Sequence, residues 1–96
     1  MFRITRKKGF HITFENGYTV SVQFGPANYC MHYDREIGRD EEACGGEGSI
    51  DAECAVWGPD HEMIVWDGWQ DTVGGRMESV EVLRLLNWAA AQEKKQ

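Results

Sequence analysis

Five side chains in the sequence are of the types that bind zinc. They are Cys30, His32, Cys44, Cys54 and His61, and a structural zinc site takes four such ligands. Their spacing lacks the Cys-x-x-Cys and compact His-x₃-His pairs typical of zinc domains. An odd number of irregularly spaced cysteines is also a poor disulfide framework, which predicts reduced thiols. We therefore predict no metal and no other cofactor, and a zinc site on these residues stays open as an alternative.

Carboxylates are frequent in the stretch after residue 58. Asp60, Glu62, Asp67 and Asp71 lie on or near one predicted β-hairpin, and His61 stands between the first two. Such a group suits a divalent cation or an acid–base pair. The Asp-x-Asp-x-Asp-Gly order of a calcium-binding loop is missing. A small metal-dependent enzyme is thus an alternative function rather than the one that we predict.

Signatures of nucleophilic catalysis and of phosphate binding are weak. None of the three serines stands in a Gly-x-Ser-x-Gly elbow. The glycine-rich residues 45–48 include an acid and precede no Lys-Ser/Thr pair. Gly74, Gly75 and Arg76 are a better anion site, because they come just before the predicted helix, whose N-terminal amides attract anions. We predict a protein that is not an enzyme, with small-molecule or nucleotide binding at these three residues as an alternative.

Charge is distributed unevenly along the chain. The net charge is −6, but residues 26–72 carry −10, while residues 1–25 carry +3 and residues 73–96 carry +1. An acidic middle repels nucleic acid and attracts a basic protein surface. We therefore expect a protein partner with a basic surface and no direct nucleic-acid contact, and a homodimer stays open. The predicted contact residues are Asp51, Glu53, Trp57, Asp60, Glu62, Asp67 and Asp71.

The clearest structural signal is a β-hairpin. Apolar and polar residues alternate over residues 10–15 and again over residues 18–24, which is the period of strands with one buried face. Asn16-Gly17 between them is the preferred pair of a type I′ turn. The pattern places Phe14 and Val20 inside, and a preceding strand near residues 2–4 would complete a meander.

After Pro26 the pattern changes several times. Residues 26–49 read as a long acidic loop that contains glycines. Alternation returns in a fourth strand, whose apolar row is Ile50, Ala52, Cys54 and Val56, and whose other face holds Asp51, Glu53 and Trp57. A turn at residues 58–61 leads to a fifth strand over residues 63–69, followed by a loop over residues 71–75.

A single amphipathic helix is predicted from Glu78 or Ser79 to Gln92. Ser79 is an acceptable N-cap, and the acids of the first turn suit the positive end of the helix dipole. The helix carries an apolar stripe at three- and four-residue spacing. Its members are Val82, Leu83, Leu86, Ala89 and Ala90.

Together these elements predict one α+β domain over residues 1–96. An antiparallel sheet of four to five strands packs one face against the C-terminal helix, because each layer needs an apolar partner. No apolar run approaches the ~20 residues of a membrane span. The basic N-terminus has no apolar segment behind it and does not read as a signal peptide, so we expect a cytoplasmic protein that does not contact membranes.

Three stretches of the chain resemble small uncharacterised proteins encoded in bacteriophage and prophage genomes. They are RKKGFHITFENGYTVSVQFGP at residues 6–26, AECAVWG at residues 52–58 and DTVGG at residues 71–75. The resemblance implies an accessory protein that acts in the host cytoplasm and assigns no site residues. Small acidic phage proteins are often inhibitors of host machinery, including anti-CRISPR and other counter-defence proteins. We therefore expect a non-enzymatic protein that inhibits or modulates a host protein through its acidic face.

Overall fold

The protein folds as a five-stranded antiparallel sheet with one helix packed against it. A computed structural model describes residues 1–4, 9–24 and 50–94, and the predicted long loop at residues 26–49 lies outside them. The strands follow chain order across the sheet, and the α+β prediction is confirmed. The elements are β1 (Phe2–Ile4), β2 (Gly9–Thr13), β3 (Thr19–Gln23), β4 (Asp51–Trp57), β5 (Val73–Glu78) and α1 (Ser79–Ala90).

The core lies between the sheet and α1. Strand β4 alternates buried and half-buried residues along its whole length, as the sequence pattern predicts. Val20, Val56 and Leu85 are fully buried there and Cys54 is 1% exposed. Ile50 does not continue the apolar row as predicted, because it precedes β4 and is 69% exposed.

The β2–β3 turn is not the type I′ turn that Asn16-Gly17 predicts. The Gly17 amide donates to the Phe14 carbonyl, and the Phe14 amide donates to the Tyr18 carbonyl, both at 2.9 Å. Only Gly17 in this loop has a positive φ, of 89°. This pattern is a three-residue loop, in which a type I turn is followed by one left-handed residue. Phe14 packs against the core and Val20 is fully buried.

The prediction of a fifth strand over residues 63–69 is wrong. That segment makes one isolated bridge, from Met63 to Trp57. Strand β5 instead spans Val73–Glu78, and its first three residues were predicted as part of a loop. Trp66 is buried and Trp69 packs against the same core. Trp66 and Trp69 are three residues apart and both face the core, whereas residues on one face of a strand are an even number apart. Gly74 of β5 makes room, since a Cβ there would stand 2.3 Å from Trp69 Cε2.

Helix α1 begins one residue after its N-cap, which is Glu78 and not Ser79. Glu78 and Glu81 form a capping box, in which each side chain accepts a hydrogen bond from the other residue's backbone amide. The buried residues of the helix are Leu85 and Ala89. The predicted stripe is confirmed at Val82, Leu86 and Ala89, which face the core. It is wrong at Leu83, which is 56% exposed, and at Ala90, which is also exposed, and it omitted Leu85.

Within the described ranges, no helix is long and apolar enough to cross a membrane. Helix α1 has 12 residues. A membrane-spanning helix needs about 20.

Candidate functional site

The sheet has a second face, which points away from α1. Neighbours across the sheet share a face, and alternate residues of a strand do too. One row of this second face runs from Arg3 through His11 and Ser21 to Ala55. The next row runs from Thr13 through Thr19 to Trp57.

Two rings meet above the middle strand of the second face. His11 belongs to β2 and Trp57 to β4, and β3 lies between these strands. Adjacent strands are about 4.8 Å apart, so β2 and β4 are separated by about 10 Å. The two ring centroids nevertheless stand 5.2 Å apart at an interplanar angle of 85°, which is an edge-to-face contact. Both side chains therefore lean over β3, where Thr19 and Ser21 are each 7% exposed.

The predicted acidic residues of β4 do share a face with Trp57. Asp51, Glu53 and Trp57 occupy alternate positions of the strand and are all half-buried. Asp51 stands opposite Glu78 of β5, which adds a carboxylate to that end of the strand. The second face therefore has an acidic end around Asp51 and an aromatic end around Trp57.

The other predicted carboxylates do not join one cluster. Asp60 and Glu62 lie in the loop after β4, where the Glu62 amide donates to Asp60 Oδ1 at 3.1 Å. Asp71 accepts the Thr72 amide at 2.6 Å, just before β5. Asp67 lies on the helix side, because its Oδ2 is 4.0 Å from Arg84 Nη2 of α1. Asp67, one of the predicted contact residues, therefore lies apart from the second face.

A small cavity opens beside the His11–Trp57 contact. It has a volume of about 220 Å³. The Met1 amino group, which borders it, donates to the Thr13 carbonyl at 2.7 Å. Its lining residues are Met1, Arg3, His11, Thr13, Thr19, Trp57 and His61. We call it the Trp57 cavity, and none of the described residues that line it is acidic.

The sequence patterns did not predict the Trp57 cavity. Its residues come from β1, β2, β3, β4 and the loop that follows β4, so only the strand order brings them together. The sequence patterns assign no role to His11 or Arg3. In the structure, burial and the positive charge of Arg3 together lower the pKa of His11 below its usual 6.5.

The metal-binding alternatives receive no support from the described part of the chain. No group of three or more His, Cys, Asp or Glu residues is placed there to hold a metal ion. Cys54 is a buried free thiol, and burial, followed by the charges of Glu53 and Glu81, raises its pKa to about 12. Cys30, His32 and Cys44 lie outside the described residues.

The premise of the alternative anion site at Gly74, Gly75 and Arg76 is wrong. These residues belong to β5 and not to a loop at the helix N-terminus. Gly75 and Arg76 form a β-bulge opposite Glu53, since the pairing shifts between Ala52 and Cys54. The amides at the start of α1 instead face the capping carboxylates of Glu78 and Glu81. Two acids at that end repel a phosphate.

A larger cavity lies on the helix side, between residues 64–67 and α1. It has a volume of about 550 Å³, and Trp66, Trp88, Asp67 and Arg84 are in its lining. The Arg84 guanidinium stands 5.6 Å from the centre of the Trp66 ring and 4.0 Å from the Asp67 carboxylate. Because Arg84 already interacts with Trp66 and Asp67, this cavity presents fewer available charged groups to a ligand than the second face does.

Comparison of the chain with protein-family models, with curated proteins and with solved structures finds no match. The second face of the sheet is therefore the candidate functional site. Its components are the acidic end, the His11–Trp57 contact and the Trp57 cavity.

Proposed function

We propose that this domain is a non-enzymatic binding protein that engages a basic surface of a partner protein through the second face of its sheet. The observation that carries the proposal is the position of Asp51 and Glu53 on one face of β4 with Trp57. In the setting implied by the resemblance to phage accessory proteins, the partner is a host protein in the cytoplasm. Binding would inhibit or modulate that protein.

The composition of the second face supports this proposal. Tryptophan is over-represented among the residues that dominate binding energy at protein interfaces. Trp57 is half-buried, and its edge-to-face contact with His11 holds its ring in place. A ring that is already ordered loses less conformational entropy when a partner covers it.

The distribution of charge supports the choice of a basic partner. Asp51, Glu53 and Glu78 lie at one end of the second face, in a chain with a net charge of −6. A basic partner surface would complement the carboxylates at this end of the face. It would also be attracted from a distance, with an association rate that falls as salt rises.

The chemistry of the second face favours binding over catalysis. Ser21 stands directly opposite His11, which is the one serine–imidazole neighbourhood on the described part of this face. The Ser21 hydroxyl, however, accepts a hydrogen bond from the side-chain amide nitrogen of Gln23 at 3.1 Å, while the His11 ring contacts Trp57. A nucleophile needs a base within hydrogen-bond reach, and the described residues do not provide that pair.

Charge reversal on β4 tests the proposal. The double variant Asp51→Lys/Glu53→Lys and the parent protein are immobilised and used to capture partners from a bacterial host lysate at low and high salt. The matched control is Glu15→Lys/Glu93→Lys, which changes the net charge equally at two exposed positions away from β4. Circular dichroism checks that each variant is folded before capture.

We expect the parent and the control to retain the same basic protein, and the β4 variant to lose it. Rising salt should weaken capture by the parent, because exposed charges are screened. Replacing Trp57 by Ala should weaken capture by at least about tenfold, the usual effect of removing an aromatic anchor. Equal capture by the parent and the β4 variant would contradict the proposal.

A further inference from the structure

The Trp57 cavity is a cationic recess in an acidic protein. Arg3 supplies its positive charge, and His11, His61, Thr13 and Thr19 also line it. Within the described ranges, neither Arg3 nor His61 forms an ion pair with a carboxylate. The Thr13 and Thr19 hydroxyls are 2.9 Å apart and share one hydrogen bond. Arg3 and His61 therefore have hydrogen-bond donors that no carboxylate among the described residues engages in an ion pair.

The backbone places His61 at a position where glycine is favoured. In the loop after β4, the His61 amide donates to the Gly58 carbonyl at 2.9 Å and the Gly58 amide donates to the Glu62 carbonyl at 3.1 Å. The β2–β3 loop has the same hydrogen-bond pattern, and Gly17 occupies its left-handed position. His61 occupies the equivalent position with φ of 66°.

This comparison of two loops in one chain points to a role for the imidazole. A side chain in the left-handed region costs free energy that glycine avoids. Such positions are concentrated where a side chain has a function. His61 lines the Trp57 cavity. The unfavourable backbone conformation therefore places an imidazole, which has a hydrogen-bond donor, at the recess.

We propose that the Trp57 cavity binds an oxyanion, a phosphate or carboxylate group carried on a small aromatic molecule. Arg3 offers a planar set of donors that matches either group, since guanidinium forms paired hydrogen bonds with both. The imidazoles of His11 and His61 add donors at the sides. This site does not depend on the protein partner proposed above, and the purified chain alone suffices to test it.

The volume of the cavity and the presence of Trp57 in its lining indicate which ligand fits best. A water molecule takes about 30 Å³ of liquid volume, so a volume of about 220 Å³ leaves room beyond one phosphate or carboxylate group. Trp57 offers an aromatic surface on which a flat ring stacks. An aromatic ring that carries one oxyanion therefore fits better than the bare ion.

Nuclear magnetic resonance of the histidine ring protons tests the site directly. The probes are inorganic phosphate, benzoate and phenyl phosphate, titrated at constant ionic strength maintained with sodium chloride. The variants are Arg3→Gln and His61→Gly, the second of which installs the residue that the loop backbone favours. The control is Arg84→Gln, which removes the same charge as Arg3→Gln but lies beside Asp67 on the helix side.

We expect saturable shifts of the His11 and His61 signals, with phenyl phosphate and benzoate binding more tightly than inorganic phosphate. Arg3→Gln should weaken binding by about tenfold or more, the value of a charge-assisted hydrogen bond. His61→Gly should weaken it by several-fold while the protein stays folded, and Arg84→Gln should leave it unchanged. The proposal is overturned if no probe gives saturable shifts, or if all three variants behave alike.

Discussion

The side chain of Asn16 donates a hydrogen bond of 2.7 Å to the carbonyl of Ala89, 73 residues later in the chain. The same amide nitrogen donates to the Gln92 carbonyl at 2.8 Å. Asn16 Oδ1 accepts the Tyr18 amide at 3.0 Å, so one side chain orders the β2–β3 loop and satisfies carbonyls at the end of α1. The last carbonyls of a helix lack the usual amide partner one turn later, and the Ala89 carbonyl also accepts the Gln92 amide at 3.4 Å. Asn16 therefore acts as a C-terminal cap supplied by another element.

Replacing Asn16 by Ala should reduce the free energy of unfolding by about 2–3 kcal/mol. The change removes the hydrogen bonds to the Ala89 and Gln92 carbonyls and to the Tyr18 amide, and it leaves the Ala89 carbonyl with the longer bond from the Gln92 amide. Replacing Asn16 by Asp should be at least as harmful, because a carboxylate cannot donate and sits at the negative end of the helix dipole. Urea denaturation measures both effects.

The control for this pair is Glu15→Ala, which alters an exposed neighbour in the same loop. It should change stability by less than about 0.5 kcal/mol, as is usual for surface positions. If Asn16→Asp were as stable as the parent protein, the proposed capping role would be wrong.

Two glycines with similar backbone angles should respond differently to a side chain. Gly17 has φ of 89° and Gly68 has φ of 82°. A Cβ on Gly17 would stand 2.7 Å from Pro59 Cβ, whereas a Cβ on Gly68 meets nothing within 4 Å. Gly68→Val should cost about 1–2 kcal/mol from the backbone alone. Gly17→Val should cost about 1–3 kcal/mol more, because it also overpacks the contact with Pro59.

Thermal and urea denaturation of the two variants, side by side, check this prediction. Gly17 and Gly68 have similar φ angles, and only Gly17 has a close steric neighbour. The difference between the two variants therefore measures the cost of the contact with Pro59. Equal destabilisation of the two variants would mean that the Pro59 contact relaxes freely.

The sequence predicted the strands whose alternation is uninterrupted. The apolar row of β4 and the hairpin strands β2 and β3 each keep a strict period of two, so β4 could be placed to within one residue. Asn16 shows where local reasoning fails, because Asn-Gly favours a type I′ turn in isolation. Asn16 caps a helix end 73 residues away, and a short sequence window around Asn16 does not include that end.

The fifth strand and the Trp57 cavity were missed for related reasons. Gly74 and Gly75 carry no side chain to show alternation, and they are poor strand formers on their own. Gly74 is in a strand because the Trp69 ring packs on it. The cavity depends on the order in which strands pair, which brings Arg3 beside His11. Among its residues only the ring of Trp57 was singled out from the sequence as a contact.

Replacing Gly74 by Ala should destabilise the protein through the Trp69 ring. The added Cβ would stand 2.3–2.6 Å from three atoms of the indole, so the ring or the strand must move, at a cost of about 1–3 kcal/mol. The double variant Gly74→Ala/Trp69→Ala should show a coupling of about 0.5–3 kcal/mol, because the clash disappears with the ring. Additive effects in this cycle, measured by urea denaturation, would contradict the contact.

Cys54 should behave as a buried apolar side chain with an unreactive thiol. Its side chain is 1% exposed, and burial raises its pKa to about 12, so little thiolate forms at pH 8. Alkylation mapped by mass spectrometry should label Cys54 in urea and leave it unlabelled in the native protein. Cys54→Ser should be less stable than Cys54→Ala, because a hydroxyl at this site is buried among apolar side chains. Rapid native labelling would refute the assignment.

Acidification should destabilise the fold through His11. Burial, and then the charge of Arg3, lower the pKa of His11 in the folded protein below 6.5. As pH falls below 6.5, the unfolded chain takes up a proton on this residue before the folded chain does. The free energy of unfolding therefore rises with pH in this range, and the contribution of neutral His11 is lost on acidification.

Urea denaturation of the parent protein, His11→Phe and Arg3→Gln at pH 7.5 and pH 5.5 measures this contribution. Phenylalanine keeps a ring against Trp57 but cannot titrate, so His11→Phe should lose less free energy on acidification than the parent. Arg3→Gln should fall between the two, because it removes the second cause of the lowered pKa and leaves burial in place. The groups around the ring are Arg3 on β1, His61 in the loop after β4 and the Met1 amine. Parallel losses in all three proteins would show that His11 is protonated equally easily in the folded and unfolded chains, and the environment assigned to it would be wrong.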